Sequence, residues 1–315
     1  MKAVVLNGVT EAKDIQLSEV PVPYVKPGWV LVRVKAFGLN HSEQILRHGE
    51  INANYIAKPI IPGIECVGEI EDPSDSGFIK GQKVIAMMGG MGRSFNGSYA
   101  EFALLPRHNV FRIDTDLDWT SLAAVPETYF TAWGSLFDCL QLNKEDTLLI
   151  RGATCALGYA AIQIANAVGC HVVATTHRQA KLSLLEDADE VVLDNGGLPG
   201  TLHGITKALD LVGAGVIKET LRTVEKGAIV CDTGVLGGAS SLNGFDPIKD
   251  IPNGVYLTGF FSNYPNQETV DSMFEFFRKK ELVPLYGKAF AFSDIQSALL
   301  AQDSGSVNGK IVVTV

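Results

Sequence analysis

The chain has 315 residues, 46% of them hydrophobic and 19% charged, with a formal net charge of −9. That length suits two domains with large cores, and the acidic balance, with no run of Lys or Arg, argues against nucleic acid as the main partner, because phosphate binding needs clustered cations. The five cysteines (Cys66, Cys139, Cys155, Cys170, Cys231) are odd in number and never form a C-x-x-C pair, which disfavours a disulfide framework or zinc ribbon and fits a reducing cytoplasm.

The opening "MKAVVLNGVTEAKD" lacks a long apolar segment ending in a small-residue cleavage site, so no signal peptide is expected. No stretch of about 18 uninterrupted apolar residues appears, so no membrane span is expected either. The first third is rich in short apolar or alternating runs: "MKAVVL", "WVLVRVKAFG", "ECVGEIED", "QKVIAMM" and "SYAEFALL". Strands at that spacing predict a compact, partly open barrel over residues 1–120. From "DWTSLAAVPETYFTAWGSL" onward, helix-spaced stretches alternate with "DTLLIRG", "CHVVATT", "DEVVLD", "ALDLVG", "GAIVCDTG" and "GVYLTGFF". That alternation builds βαβ units and a parallel sheet over residues 121–262. Residues 263–315, with the helix-like "ETVDSMFEFFRKKEL" and strands "KAFAFS" and "KIVVTV", return to the first domain.

"LLIRGATCALG", at residues 148–158, is strand, tight turn and helix start. A turn of this kind brings backbone N–H groups and a helix N-terminus to a pyrophosphate. Gly152, Ala153, Thr154, Cys155, Ala156, Leu157 and Gly158 would form the cradle, with Gly158 permitting close strand–helix packing. Leu157, Ala161, Ile164, Ala165 and Val168 recur at helical spacing and predict a buried face. Cys155 occupies a position commonly held by glycine; it is tolerated if its φ is negative and costs about 1 kcal/mol or more if φ is positive.

The second strand ends in "TTHRQAK". An NAD site places an acid there for the ribose 2′-hydroxyl, and this stretch has none. Thr176, His177, Arg178 and Lys181 instead suit a 2′-phosphate. Basic residues are poorly placed at a helix start on dipole grounds alone. The cofactor reading is therefore NADPH.

The order of domains resembles the medium-chain dehydrogenase/reductases over essentially the whole chain, through "FGLNHSE", "PIIPGIECVGEI", "GQKV", "GSYAEF", "YFTAW", the nucleotide turn and the closing "NGK". The resemblance implies an α/β protein made of a GroES-like barrel domain and a Rossmann-type doubly wound domain. Zinc members of that superfamily carry Cys where this chain has Asn40, and a G-H-E histidine where it has Ile64. An aliphatic side chain ligates no metal, and the four-cysteine zinc lobe is absent from "AMMGGMGRSFNGSYAEF", so no metal is expected. The zinc-less quinone oxidoreductase group is the most similar branch. It implies reduction of quinones or α,β-unsaturated carbonyl compounds with NADPH, and a homodimer is expected; the cysteines, apolar runs and charge add a cytoplasmic location without membrane or nucleic-acid partners.

Without a Lewis acid, such a reaction depends on positioning and on donors for the carbonyl oxygen. The resemblance sets Asn40 beside the nicotinamide, and Thr131, in its "TAY"-like motif, at the same end of the cofactor. His41 and Glu43 adjoin Asn40 as acid–base alternatives, although solvent can supply the proton. Pocket tyrosines of some relatives are replaced by Ile45 and Ile51, and Tyr55 or Tyr129 is available to compensate. Gly213, Thr233 and Gly234 fall at strand ends where open α/β sheets bind ligands. Lys310 is set to reach the cofactor phosphates from the returning segment. Phe260, grouped with the cofactor residues, and Phe261 are read as a buried strand end of the kind that often pairs across a dimer in this superfamily. Two alternatives remain: an enoyl-thioester reductase, and a non-catalytic NADPH-binding sensor or structural protein.

Overall fold

The structure, a computed structural model, describes residues 1–239 and 241–315. The chain divides into two compact units, Met1–Phe130 with Ser262–Val315, and Thr131–Phe261. The first border thus falls later than residue 121. The short helix Trp119–Leu122 packs against strands of the first unit, and Leu122, Ala123, Ala124 and Val125 are fully buried.

In the first unit the main sheet runs, edge to edge, through Lys288–Ala291, Ile311–Thr314, Trp29–Gly38, Glu65–Asp72, Lys83–Met87 and Val110–Arg112. Phe102–Pro106 also pairs with Trp29–Gly38. All these pairings are antiparallel except that of Lys288–Ala291 with Ile311–Thr314. The long strand Trp29–Gly38 explains the arrangement. Val30, Val32 and Val34 alternate into the core, where burial of each contributes about 1.5–3 kcal/mol, and Phe37 joins them after an irregularity in the pairing between Val34 and Ala36. The returning strand pairs Val312 with Gly38, and Leu39 N–H donates to the Ile311 carbonyl. This register sets Lys310 beside Asn40.

The second unit holds a six-stranded parallel sheet in the order Glu190–Leu193, His171–Thr176, Thr147–Arg151, Lys207–Asp210, Ile229–Asp232, Tyr256–Gly259. Numbered along the chain, that order is 3-2-1-4-5-6, the doubly wound arrangement of dinucleotide-binding sheets. Helix Ala156–Val168 links its first two strands and ends on Gly169, whose φ of +91° closes the helix in the left-handed conformation. Its buried face is Gly158, Ala160, Ala161, Ile162, Ile164 and Ala165. Leu157 and Val168, expected in that face, are half-buried.

Helix Pro126–Trp133 widens into a π-helix over Gly134–Cys139, a feature with no signature in the sequence. No described helix is long and apolar enough to cross a membrane.

Candidate active site

In the first unit, Asn40 precedes helix His41–His48 and is 8% exposed. Glu43, three residues on, reaches back to accept Asn40 N–H at 2.8 Å and also accepts Ile64 N–H at 2.9 Å. Gln302 donates to the Asn40 carbonyl at 2.9 Å. The backbone of Asn40 is therefore held at both its N–H and its carbonyl.

Its side chain is fixed by two charged groups. Lys310 Nζ donates to Asn40 Oδ1 at 2.5 Å, and Asn40 Nδ2 donates to Glu65 Oε1 at 2.8 Å. Lysine only donates and a carboxylate only accepts, so this pair of neighbours determines which way the amide points. One Nδ2 hydrogen remains without an acceptor among the described residues. Lys310 also donates to Thr128 Oγ1 at 2.9 Å and pairs with Glu65 Oε1 at 2.6 Å, which accounts for all three ammonium hydrogens. Glu65 Oε2 accepts Glu127 N–H at 2.6 Å.

Lys310, expected on cofactor phosphates, is instead 2% exposed and wholly engaged with Asn40, Thr128 and Glu65. Glu65 and Thr128, which sequence reasoning passed over, are part of this cluster. The glutamate of "GIE" was the only available signal for it. Burial pushes the Glu43 carboxyl up to about 7, opposed by the nearby Arg93 guanidinium. His41 is exposed and bonds to Gln44 at 2.8 Å.

Tyr55 does not join this cluster. It is 66% exposed and donates to Glu50 at 3.0 Å. Tyr129 is buried, with its hydroxyl accepting Leu285 N–H. Ile51 is fully buried among core residues and Ile45 is exposed.

In the second unit, the turn after Thr147–Arg151 has Gly152 at φ +80°, a conformation costly for other residues. A Cβ on Gly158 would run into the Ala153 backbone. Cys155 has φ −136°, so its side chain carries no left-handed strain. It caps helix Ala156–Val168, its Sγ accepting Gly158 N–H at 3.3 Å. Ala153 is buried and donates to Thr175 O, while Thr154 Oγ1 meets Thr176 Oγ1 at 3.1 Å. Ala156 and Leu157 form the half-buried first turn of that helix.

Thr176 is buried, its hydroxyl tying the second strand to the turn and accepting Arg178 N–H. His177 and Arg178 are exposed and Lys181 is half-buried. Burial and the Arg178 charge both hold the Lys181 ammonium below its ordinary range. Among the described residues, neither Arg178 nor Lys181 has a carboxylate within ion-pair distance. Two adjacent cations thus lack a counter-ion.

At the ends of the fourth and fifth strands, a Cβ on Gly213 would meet the Gly234 carbonyl, and one on Gly234 would meet the Leu211 backbone. Thr233 Oγ1 lies 2.9 Å from Ser135 Oγ, which itself donates to the Thr131 carbonyl at 2.7 Å. Thr131 and Thr233 are thus joined through Ser135 on the π-helix. Phe260 lies just beyond the last strand against Gly134, where a Cβ would strike its ring. Phe261, expected as part of a buried strand end, is 69% exposed. The strand stops at Gly259, before it.

The doubly wound sheet with its glycine turn defines the second unit as a dinucleotide-binding domain, carried on a chain whose other unit is a β domain closed by the C-terminal strand. The chain belongs to the medium-chain dehydrogenase/reductase superfamily, in its quinone oxidoreductase-like branch. Residues 26–115 match a family model described as an alcohol dehydrogenase GroES-like domain, and residues 156–279 match one described as a zinc-binding dehydrogenase. Human quinone oxidoreductase is 33% identical over 184 residues, 57% of this chain. The chain spans about half the length of such curated relatives, 51% in that case.

Among solved structures, that of AibC covers 100% of this chain and 95% of its own, with a TM-score of 0.87 and 24% identity. The yhdH oxidoreductase of Salmonella enterica, in complex with NADP, covers 100% of both chains, with a TM-score of 0.84 and 21% identity. Both share the fold.

Proposed function

We propose that this protein is a zinc-independent, NADPH-dependent oxidoreductase that reduces quinones or α,β-unsaturated carbonyl compounds. The observation that carries the reading is the Asn40 amide, oriented by Lys310 and Glu65 with one N–H left over.

The donor set does not suit zinc. Asn40 and Ile64 stand where zinc relatives have ligands, and the Lys310 ammonium lies within 2.6 Å of both Asn40 and Glu65. A dication sharing those groups would sit against a fixed positive charge. Among the described residues, no group of three or more His, Cys, Asp or Glu side chains is arranged to hold a metal.

The dinucleotide fits the second unit better. Gly152 and Gly158 let the backbone approach a pyrophosphate, while Gly213 and Gly234 keep adjoining strand ends free of side chains. Arg178 and Lys181 supply uncompensated charge for a 2′-phosphate. When bound, the cofactor supplies hydride to an electron-poor carbon. The contribution of Asn40 is a neutral donor for the carbonyl oxygen on which charge develops, pre-oriented so that no reorganisation is needed. Lys310 keeps the amide from flipping, and Thr131 and Thr233 position the nicotinamide end.

A homodimer in the cytoplasm is part of this proposal. Among the described residues, strand Tyr256–Gly259 is paired on one side only, and Tyr256 and Phe261 near it are exposed. Among the described residues, no disulfide is formed. A nucleotide-binding protein without turnover is the second reading. It is favoured by Cys155, whose Sγ already takes the Gly158 N–H that a phosphate would use.

Fluorescence titration with NADPH and NADH, followed by turnover with a 1,4-quinone and 2-cyclohexenone, tests both readings. NADPH preference with turnover supports the reductase. Binding without turnover selects the second reading, and binding of neither cofactor overturns both.

A further inference from the structure

Cys231 lies in strand Ile229–Asp232 and Cys139 ends the π-helix Gly134–Cys139. The sheet register brings the two thiols into one neighbourhood: Cys231 pairs with Thr258, and Cys139 Sγ donates to the carbonyl of the next residue, Gly259, at 3.6 Å. On its other side, Cys231 Sγ lies 3.2 Å from Thr233 Oγ1. Nothing in the proposed reduction employs either thiol.

The pair is asymmetric. Cys139 is half-buried, whereas Cys231 is fully buried. Burial pushes the Cys231 thiol up to about 12, so it remains protonated near neutral pH. Cys139 is therefore the sulfur that a small oxidant reaches, and Cys231 the one positioned to resolve it.

We propose that Cys139 and Cys231 form a reversible thiol–disulfide pair oxidised by hydroperoxides. In the first step the Cys139 sulfur attacks the outer oxygen of the hydroperoxide. The O–O bond breaks, the sulfur becomes a sulfenic acid, and an alcohol, or water from hydrogen peroxide, departs. In the second step the Cys231 sulfur attacks that sulfenic sulfur, an S–S bond forms, and the Cys231 proton leaves with the displaced hydroxyl as water. Overall, two thiols and one hydroperoxide give a disulfide, an alcohol and water. The product would tie the π-helix carrying Ser135 to the strand leading into Thr233, the two residues whose hydroxyls now meet at 2.9 Å.

The test treats the full-length protein with hydrogen peroxide, then counts free thiols and maps peptides without reduction. The five thiols should fall to three, with one Cys139–Cys231 linked peptide, and dithiothreitol should restore five. Cys139→Ser should keep all its remaining thiols at the same dose. Cys231→Ser should accumulate a Cys139 sulfenic acid that dimedone traps. Five surviving thiols, or a linkage through Cys66, Cys155 or Cys170, would overturn the proposal. Cys139→Ser removes the less buried sulfur and so keeps the test usable should Cys231→Ser fold poorly. NADPH titration of the reduced protein, run alongside, tests the cofactor reading separately.

Discussion

Lys310 Nζ lies 2.5 Å from Asn40 Oδ1, although the two residues are 270 positions apart. The same ammonium neutralises Glu65, which has no exposed surface. Replacing Lys310 with Met would leave that carboxylate buried without its cation, at a cost of about 3–5 kcal/mol. The amide of Asn40 would also lose the neighbour that fixes its orientation, and quinone turnover should fall by about a hundredfold to a thousandfold, the range of one pre-oriented donor. In Lys310→Met/Glu65→Gln the buried charge is gone, so urea unfolding should show stability largely recovered. Turnover should stay low. Recovery of both together would mean that Lys310 matters only to the fold.

Much of this arrangement was legible from the sequence, and the rest was hidden for physical reasons. Alternation at Val30, Val32 and Val34 reports burial on one sheet face, so the strand is visible locally. So are the parallel strands that order the second unit, and the basic end at Arg178 and Lys181. The partner of Lys310 depends on a register, Val312 opposite Gly38, between segments at opposite ends of the chain. No local pattern encodes that register. Gly38 carries the only trace of it: a Cβ there would meet Lys310 Cε and Glu65 Oε1, so the glycine leaves room for the ion pair. Read alone, it is one glycine before an asparagine. The exposure of Tyr55 and the widening of the helix at Gly134–Cys139 depend likewise on tertiary packing.

Arg178 and Lys181 are expected to select NADPH. Each charge-assisted hydrogen bond to a phosphate contributes about 1.5–3 kcal/mol. For exposed Arg178 the lower end applies, so Arg178→Ala should weaken NADPH binding by about tenfold while NADH changes by less than about twofold. Lys181→Ala should act in the same direction. Equal losses for both cofactors would show that these cations hold structure rather than read the 2′-phosphate. Parallel fluorescence titrations distinguish the outcomes.

Cys155 bears on whether the nucleotide turn works. At φ −136° it needs no glycine, so Cys155→Gly relieves no strain and loses about 0.4–1 kcal/mol through the freer unfolded chain. The substitution also releases Gly158 N–H from Sγ at the helix N-terminus, where anions bind. NADPH affinity should therefore rise, by about threefold to tenfold if the released N–H contributes the net value of one hydrogen bond. Unchanged affinity would show that the thiol yields its place to phosphate without cost.

Glu43 should make stability depend on pH. Burial raises its folded-state carboxyl from 4.5 to about 7, so the folded protein binds this proton more tightly than the unfolded chain does. The contribution is fully present below about pH 4.5 and is lost as pH rises toward about 7, beyond which the charged carboxylate is simply carried at a cost. A shift of that size corresponds to about 3 kcal/mol. Glu43→Gln removes the titration but keeps one acceptor for the two N–H groups of Asn40 and Ile64. Urea midpoints measured between pH 5 and pH 8 should therefore decline more steeply in the wild type than in the variant. Parallel curves would place the proton on another group and leave Glu43 ionised throughout, held by Arg93 and the two backbone donors.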